Sequence, residues 1–487
     1  MKTLNPDVMI VGGGLAGCAL ALSLHRKGME VLLVEREAAP RDRFKGEYLQ
    51  PYAVKSLIKL GLSEIVDNDE TVRIRSMRFR DLAADGISSE SETLIHYAQD
   101  SYAAVMPNKD LVSKLQSHTK AVLGERFLLG AALSALNADS PDFHMSPEFG
   151  AKFSDGEALR IKPRWVVGCD GRQSTSVRRW MGGPSAPVMG RATLGASPEF
   201  IVGCELDAGV QRSQCYEVIR TSGQGTLAIF QLKDLKRRCY WSVPFTEGRN
   251  SKKDWQSQMG QLLGESRSLG IPFNGQVDQM AGASADSVWM GPAAKGRFLL
   301  AGDALAGTTP FGGQGMTCAV LHVEALASLL DEHSDRSTRS ISRLGSSYAS
   351  TCRKWYRHYG LLNFGLYYLF FARQPIFKAT SRHILNRWNK NPEMLDRVGR
   401  LFGGDDLDTP GAVEVLRLWG ALPALARKQQ ERTISAEDLE LTWTPQPRRA
   451  RLEESRRDSI HTGSILSPET LSQENDSPSK IHRISGS

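Results

Sequence analysis

The chain has 487 residues, 41% of them hydrophobic and 24% charged, and its net charge is +7. These proportions are ordinary for a globular protein and exclude a disordered chain, a collagen and a small disulfide-rich protein. The positive charge is modest and forms no basic stripe with interleaved aromatic residues, so we expect no nucleic-acid partner. No apolar run reaches the length of about 20 residues that a membrane-spanning helix needs.

The seven cysteines are scattered along the chain, and no two of them have the CxxC spacing of a zinc or thioredoxin-type site. Free thiols fit a reducing compartment, and the first predicted strand begins too close to the N-terminus for a secretory signal. We therefore expect a cytoplasmic protein without a metal site. The sequence leaves its oligomeric state open.

The start of the chain has the pattern of a strand, a helix and a second strand. The apolar runs at 7–11 and 29–34 predict buried strands, and the apolar spacing at 16–27 predicts a helix between them. Such a unit implies a right-handed crossover within a parallel sheet.

The turn between this strand and this helix contains Gly12, Gly14 and Gly17, which have the GxGxxG spacing. The first glycine permits a tight turn, the second lets a pyrophosphate approach the backbone, and the third lets the helix pack closely. The helix N-terminus offers free N–H groups and a partial positive charge to phosphate. Glu35 ends the second strand, where an acid that binds a ribose belongs, and this argues against NADPH at this loop. The pattern predicts dinucleotide binding without deciding between FAD and NAD.

The rest of the chain alternates between predicted strands and helices and ends in a polar tail. We expect helices at 53–62, 111–123, 316–330 and through most of 347–430, and strands at 72–80, 164–167 and 297–301. Alternating stretches at 193–245 predict the bulk of an antiparallel sheet. Residues 445–487 are charged and rich in serine, which predicts a disordered tail.

Two further motifs follow predicted strands. The first is DGRQSTSVR, beginning at Asp170 and Gly171, and the second joins Gly302-Asp303-Ala304 to PFGGQGM at 310–316. In this order, the three motifs resemble the GxGxxG, DGxxSxxR and GDAxxxxxPxxGxG of FAD-dependent monooxygenases of the para-hydroxybenzoate hydroxylase type. The resemblance covers roughly residues 7–330.

Within that family, the chain most resembles squalene epoxidase-like flavoproteins. Glu35-Arg36 is followed by Arg43 and by GEYLQP at 46–51, and those enzymes have a similar acid–Arg pair, a later Arg and GE-x-LQP. Their GGGMT is similar to the GGQGMT of this chain. The glycine motifs and the resemblance together predict these FAD-binding residues: Gly12, Gly14, Leu15, Ala16, Gly17, Glu35, Arg36, Arg43, Asp170, Gly171, Asp303, Gly313, Gly315 and Met316.

The resemblance implies an α/β fold with a Rossmann-like FAD-binding domain, a β-sheet substrate domain and a helical C-terminal region. The expected segments are 1–70, 106–182 and 291–345 for the FAD-binding domain, 71–105 and 183–290 for the substrate domain, 346–444 for the helical region, and 445–487 for the tail.

The resemblance also implies a reaction. NADPH or NADH would reduce FAD, dioxygen would form a flavin 4a-hydroperoxide, and this species would hydroxylate or epoxidise a lipophilic aromatic, isoprenoid or polyketide-like substrate. Because the cofactor carries the chemistry, we predict no catalytic base. By residue type alone, the histidine candidates are His118, His144, His322 and His358.

Three alternatives stay open. An alkene reductase resembling geranylgeranyl reductases and a flavin-dependent halogenase share the expected fold, and a non-catalytic FAD-binding or scaffold protein is the third. Only Trp241 and Pro244 match the Trp-x-Trp-x-Ile-Pro signature of halogenases. We therefore interpret residues 239–244 as a strand whose aromatic side chains lie in or near the substrate pocket.

Residues 361–372 form an apolar, aromatic run with basic residues on both sides. An amphipathic helix with basic flanks can lie in a membrane interface, and squalene epoxidases also have apolar C-terminal helices that contact membrane. The same run can instead pack on the catalytic domain or cover the substrate pocket. Both interpretations suit a small lipophilic substrate.

Overall fold

The computed structural model describes residues 2–41, 47–81, 92–135, 148–152, 158–172, 176–181, 199–207, 214–220, 226–233, 236–244, 280–284, 288–289, 291–330, 338–371, 374–404 and 418. These residues all belong to one unit, Met1–Ala424. Arg43, His144 and the predicted tail at 445–487 lie outside the described residues.

The described strands are, in chain order, β1 (Lys2–Leu4), β2 (Val8–Val11), β3 (Val31–Glu35), β4 (Tyr48–Leu49), β5 (Val72–Ile74), β6 (Ser76–Asp81), β7 (Glu92–His96), β8 (Ala103–Val105), β9 (Phe127–Leu129), β10 (Ala132–Ala135), β11 (Phe149–Lys152), β12 (Ala158–Ile161), β13 (Trp165–Gly168), β14 (Glu199–Asp207), β15 (Cys215–Arg220), β16 (Thr226–Gln231), β17 (Lys236–Pro244), β18 (Met280–Ser284), β19 (Val288–Trp289), β20 (Ala294–Lys295), β21 (Phe298–Leu300) and β22 (Ala306–Gly307).

The described helices are α1 (Leu15–Arg26), α2 (Pro51–Lys59), α3 (Ser63–Val66), α4 (Asn108–Leu123), α5 (Ser176–Trp180), α6 (Gly315–Leu329), α7 (Thr338–Leu366), α8 (Pro375–Asn389) and α9 (Pro392–Gly403). Short 3₁₀ turns occupy Gly124–Arg126, Gly302–Ala304 and Pro310–Gly312, and a π-helical turn occupies Tyr367–Phe371.

A mostly parallel sheet carries the dinucleotide turn. Its described strands have the order β20-β21-β13-β2-β3-β9, and only β20 runs antiparallel to its neighbour. All of β2 and most of β3 are buried, as expected for strands covered on both faces. The parallel strands β2, β3, β13 and β21 end at one edge, so the segments that follow them meet there. The α/β fold is confirmed.

A second sheet has the described strand order β18-β14-β17-β16-β15-β6-β7. The expected antiparallel sheet at 193–245 is confirmed for β14 to β17, but β15 also pairs in parallel with β6. The single strand expected at 72–80 is wrong, because β5 pairs with β8 in a smaller sheet whereas β6 joins the large one. The backbone turns between them at Arg75, whose N–H donates to the carbonyl of Gln214 at 3.0 Å.

The two large sheets take their strands alternately along the chain. The parallel sheet uses strands from 8–35, 127–129, 165–168 and 294–300, and the second sheet uses strands from 76–96 and 199–284. The bounds of the seven domain segments that we expect from the sequence stay a prediction.

The helical C-terminal residues pack against one face of the second sheet. Helix α7 begins at Thr338, nine residues before the expected start at 347. Leu369, Phe370 and Phe371 are buried with Phe79 and Val218 of the sheet.

Polar side chains of the second sheet bind the backbone of the π-helical turn. Thr226 donates to the carbonyl of Phe370 at 2.7 Å, and Arg220 donates to the carbonyl of Leu369. In the described part of this helical region, the large exposed apolar side chains are Leu361 and Ile376. Within the described residues, no helix is long and apolar enough to cross a membrane, and contact with a membrane surface stays a prediction.

Candidate active site

In the glycine turn after β2, two of the three motif glycines have no space for a side chain, and the third has open space beside its Cα. Gly12 has φ +109°, and a Cβ on it would lie 2.5 Å from the carbonyl oxygen of Cys169. A Cβ on Gly17 would overlap the carbonyl oxygen of Gly12, whereas a Cβ on Gly14 would meet nothing within 4 Å. The backbone therefore leaves room for a ligand at Gly14 and for none at the other two positions.

Glu35 is held against this turn. One oxygen of its carboxylate accepts from the N–H of Gly13 at 2.6 Å, and the other accepts from the N–H of Glu37 at 2.8 Å. The buried side chain of Gln116 on α4 donates to the carbonyl of Gly13 at 2.9 Å. The predicted ribose-binding acid is thus fixed beside the turn, and its carboxylate has further lone pairs for a ligand hydroxyl.

The second motif follows β13 at the same edge of the sheet. Gly171 has φ +80°, and the buried Arg178 on α5 donates to the carbonyl of Arg172 at 2.9 Å. Burial lowers the pKa of Arg178, and the negative charge of Asp170 acts in the opposite direction. The hydrogen bond from Arg178 therefore stabilises the turn of the motif to which this arginine belongs.

The third motif begins with a turn between α1 and α6. Gly302 has φ +59°, and a Cβ on it would lie 3.1 Å from the Cβ of Ala16. The N–H of Gly302 donates to Nδ1 of His322 on α6 at 3.1 Å. Asp303 is half-buried in this turn. The predicted FAD-binding residues Ala16 and Asp303 thus belong to neighbouring segments.

The glycine loop, residues 312–315, leads into the N-terminus of α6. Gly313 has φ +63°, and Nε2 of the buried Gln50 donates to the carbonyl of Gly312 at 2.8 Å. A Cβ on Gly312 would lie 2.5 Å from Oδ1 of Asn363 on α7. Side chains from two distant segments therefore enclose this loop.

Several buried polar atoms near this loop have no hydrogen-bond partner in the described part of the chain. They are Gln50 Oε1, Thr308 Oγ1, Thr309 Oγ1, Gln314 Oε1, Thr317 Oγ1, and both Oδ1 and Nδ2 of Asn363. Buried polar groups are normally paired, so this cluster suits a ligand that offers both donors and acceptors. The pyrimidine edge of a flavin has carbonyl and N–H groups of this kind, and the residues present therefore fit the flavin.

An aromatic cluster formed by Tyr48, Tyr97, Tyr216, Phe230 and Tyr240 lies against the glycine loop. The ring of Tyr48 would lie 3.6 Å from a Cβ on Gly313. The hydroxyls of Tyr48 and Tyr97 are 2.7 Å apart, and the Tyr48 ring contacts Tyr216 and Phe230 with centroids at 5.1 and 5.7 Å. The cluster forms an apolar wall that carries hydroxyl groups.

Glu47 lies buried at the edge of this cluster. It pairs with Arg238 at 2.8 Å and accepts from the hydroxyl of Tyr240 at 2.7 Å. Burial raises the pKa of Glu47 to about 7, and the charge of Arg238 opposes that rise. A buried carboxyl group whose pKa burial raises to about 7 therefore lies against Arg238 and Tyr240 of the second sheet.

The remaining predicted residues differ in their burial and in the groups they contact. Leu15 and Met316 pack at the margin of the core around the parallel sheet. The side chain of Arg36 is 72% exposed and pairs with Glu37 at 3.3 Å, and its predicted contact with FAD stays a prediction. Nδ1 of His118 lies against the carboxylate of Glu64.

The strand expected at 239–244 is confirmed as part of β17, and the place of its aromatic side chains relative to the substrate pocket stays a prediction. Tyr240 belongs to the aromatic cluster, but Trp241 follows it directly and is almost fully buried. Because successive strand residues point to opposite faces, Trp241 lies on the other side of the sheet. The sequence also missed Gln50, Gln116 and Asn363 as site residues. A lone asparagine within the apolar run 361–371 is the signal that could have found Asn363.

Glycine turns at the carboxyl edge of a parallel sheet are how many flavoproteins hold a dinucleotide, and this chain is one of them. It belongs to the family described as FAD binding domain, which matches residues 5–356. The resemblance to FAD-dependent monooxygenases of the para-hydroxybenzoate hydroxylase type is thereby confirmed. Asn363 lies beyond the matched residues.

Individual relatives match only in part. The chain is 42% identical to squalene epoxidase of Schizosaccharomyces pombe over 67 residues, which is 14% of this chain and 15% of that enzyme. It is 33% identical to rifampicin monooxygenase of Streptomyces venezuelae over 177 residues, which is 36% of this chain and 34% of that enzyme. The matched part thus spans about a third or less of these relatives.

The fold extends further than the sequence identity. The p-nitrophenol 4-monooxygenase of Pseudomonas putida superimposes with a TM-score of 0.65 at 19% identity, over 85% of this chain and 100% of that one. At this identity the likeness shows the fold alone.

Proposed function

We propose that this protein is an FAD-dependent monooxygenase that uses NADPH or NADH and dioxygen to hydroxylate or epoxidise a small lipophilic substrate. The observation that carries the proposal is the aromatic cluster lying against the glycine loop, with Tyr48 near Gly313. A substrate packed on this apolar wall, next to the loop, would lie beside the part of the flavin that reacts with dioxygen.

The chain's own residues bind and orient the cofactor. The open side of Gly14 and the N-terminus of α1 receive the pyrophosphate, and Glu35 receives a ribose hydroxyl. The N-terminus of α6, at Gly315, would lie where its N–H groups and helix dipole can stabilise negative charge on the pyrimidine edge of bound flavin. When bound, FAD supplies the electron transfer and the oxygen chemistry.

The second sheet and the helical residues exclude water from the reaction. The aromatic cluster, Leu366 and Phe370 belong to one apolar group, which suits a lipophilic substrate body. The hydroxyl pair of Tyr48 and Tyr97 can hydrogen-bond a polar group of the substrate. Relatives named for squalene and rifampicin support a lipophilic substrate, which would bind from the cytoplasm or from a membrane surface near 361–372.

A spectroscopic experiment tests the proposal. The purified protein is reconstituted with FAD, mixed anaerobically with NADPH or NADH, and then exposed to oxygen, while flavin absorbance and oxygen consumption are recorded. We expect flavin bleaching by one nicotinamide, reoxidation by oxygen, and faster turnover with a phenolic or isoprenoid substrate. Failure of the protein to bind FAD would overturn the proposal.

The same experiment separates the alternatives. An alkene reductase would turn over its substrate without stoichiometric oxygen consumption. A flavin-dependent halogenase would require halide and would need a separate reductase, so direct bleaching by nicotinamide argues against it. A non-catalytic protein would bind FAD and show no substrate-dependent turnover.

A further inference from the structure

His322 connects the two cofactor segments of the third motif. It lies on α6, the helix that begins in the glycine loop at Gly315, and its ring is 1% exposed. Nδ1 accepts from the N–H of Gly302 at 3.1 Å, directly before Asp303. One helix therefore carries the loop at its N-terminus and, two turns later, a group that binds the neighbouring turn.

The geometry requires a neutral imidazole. A ring nitrogen that accepts a hydrogen bond from a backbone N–H carries no proton, so the proton of this ring is on Nε2. Burial lowers the pKa of His322 to about 4, and the ring is neutral at physiological pH. At physiological pH, Nδ1 of His322 therefore accepts a hydrogen bond and carries no proton.

Other hydrogen bonds hold the two residues that directly precede the Gly302 turn. The hydroxyl of Tyr348 on α7 donates to the carbonyl of Leu300 at 2.7 Å, and the N–H of Ala301 donates to the carbonyl of Gly168 at 2.9 Å. On the far side, Gly302 is packed against Ala16. The Gly302 N–H, directly before Asp303, is the next backbone group along the chain, and its hydrogen bond to His322 attaches this point of the turn to α6.

We propose that His322 is a positioning residue for FAD, which holds the Gly302 turn so that the predicted FAD-binding residue Asp303 meets the cofactor. This inference rests on FAD binding at the site described above. His322 itself contacts the turn and needs no contact with the cofactor. Its contribution is the orientation of Asp303 relative to the helix that begins at the glycine loop.

The test compares FAD affinity in three variants with that of the wild type. H322L removes the acceptor, H322N keeps an oxygen where Nδ1 lies, and V323A is the matched control. Val323 is the next residue on α6 and is fully buried, and its substitution by alanine removes packing without changing a hydrogen-bonding group. FAD fluorescence titration of the full-length apoprotein gives Kd, and thermal unfolding of the same samples gives Tm.

We expect H322L to raise the Kd for FAD about tenfold, which corresponds to the free energy of one hydrogen bond. H322N should bind FAD with a Kd within about threefold of the wild-type value. V323A should lower Tm and leave Kd unchanged. The inference is wrong if H322N binds as weakly as H322L, if H322L binds normally, or if V323A weakens binding in proportion to its lower Tm. Wild-type protein that does not bind FAD would instead overturn the proposed function.

Discussion

The two glycine segments of this site are built in different ways. At the glycine turn, the atoms that exclude a side chain are backbone atoms of Gly12 and Cys169. At the glycine loop, the atoms that exclude one belong to the side chains of Asn363 and Leu366. The first segment is therefore rigid by backbone geometry, whereas the second is shaped by residues that can be substituted. This difference predicts how each segment responds to mutation.

The largest expected effect is that of G17A. The new Cβ would overlap the carbonyl oxygen of Gly12, and a backbone atom cannot move aside without separating α1 from β2. We expect a loss of about 3 kcal/mol in the free energy of unfolding and no FAD retention, measured by urea unfolding and flavin absorbance.

The matched control for this variant is G360A. A Cβ on Gly360, within α7, meets nothing within 4 Å, and alanine is the better helix former. G360A should therefore be neutral or stabilising by up to about 1 kcal/mol. A G17A protein as stable as G360A would show that the turn is not closed by backbone atoms.

The next effect is that of G312A. Its Cβ would lie 2.5 Å from Oδ1 of Asn363 and 2.9 Å from Cδ1 of Leu366, which are the ends of side chains. We expect a loss of about 1–2 kcal/mol in the free energy of unfolding. Because the obstacle is a side chain, N363A in the same protein should recover part of this loss. A double-mutant cycle with no coupling between Gly312 and Asn363 would contradict the side-chain origin of the loop's shape.

This contrast explains how much of the site could be predicted from sequence. Gly12, Gly14, Gly17 and Glu35 act within one strand–helix–strand unit, so their spacing alone predicts their roles. Gln50 bonds to a residue 262 positions away. No local pattern encodes such a pairing, because it depends on how the sheets bring separate segments together.

The fold shows the same limit. Buried runs such as Val8–Val11 predicted the parallel sheet correctly, because strands covered on both faces are continuously apolar. The break between β5 and β6 was missed, because both halves alternate in the same way and only their partners differ. Alternation along β17 likewise does not say which face of the sheet carries the aromatic cluster, so Tyr240 and Trp241 could not be assigned to their faces from sequence.

A smaller effect, of opposite sign, is expected for N363L. Neither polar atom of the Asn363 side chain is paired within the described residues, and an unpaired buried amide lowers stability by about 1–3 kcal/mol. Leucine has the same branched side-chain shape without the polar atoms, so the apoprotein should gain about 1 kcal/mol in the free energy of unfolding. If the amide serves a ligand at the glycine loop, the stabilisation that FAD or substrate adds should shrink in the same variant.

The control for N363L is N389L. The side chain of Asn389 is exposed and donates to the carbonyl of Glu92 at 2.8 Å. That substitution should leave ligand-induced stabilisation unchanged. A destabilised N363L apoprotein would mean that the amide has a structural role.

The smallest expected effect concerns the pH dependence of the free energy of unfolding. The contributions of two buried groups, His322 and Glu47, change in opposite directions with pH. The pKa of His322 falls from 6.5 to about 4 on folding, so its contribution to stability is lost as pH falls from 6.5 toward 4. The pKa of Glu47 rises from 4.5 to about 7, so its contribution is present below 4.5 and is lost as pH rises through 7.

Between about pH 4.5 and 6.5 the two slopes oppose each other, and the wild-type free energy of unfolding should change little from these groups. E47Q removes the falling slope, so its stability should rise with pH in this window. H322N removes the rising slope, so its stability should fall. Urea unfolding at pH 5, 5.5, 6 and 6.5 measures both slopes, and parallel curves for the two variants would show that neither carboxyl nor imidazole is perturbed by burial. The two groups lie in different segments, His322 behind the Gly302 turn and Glu47 beside the aromatic cluster, so each variant reports on its own side of the site.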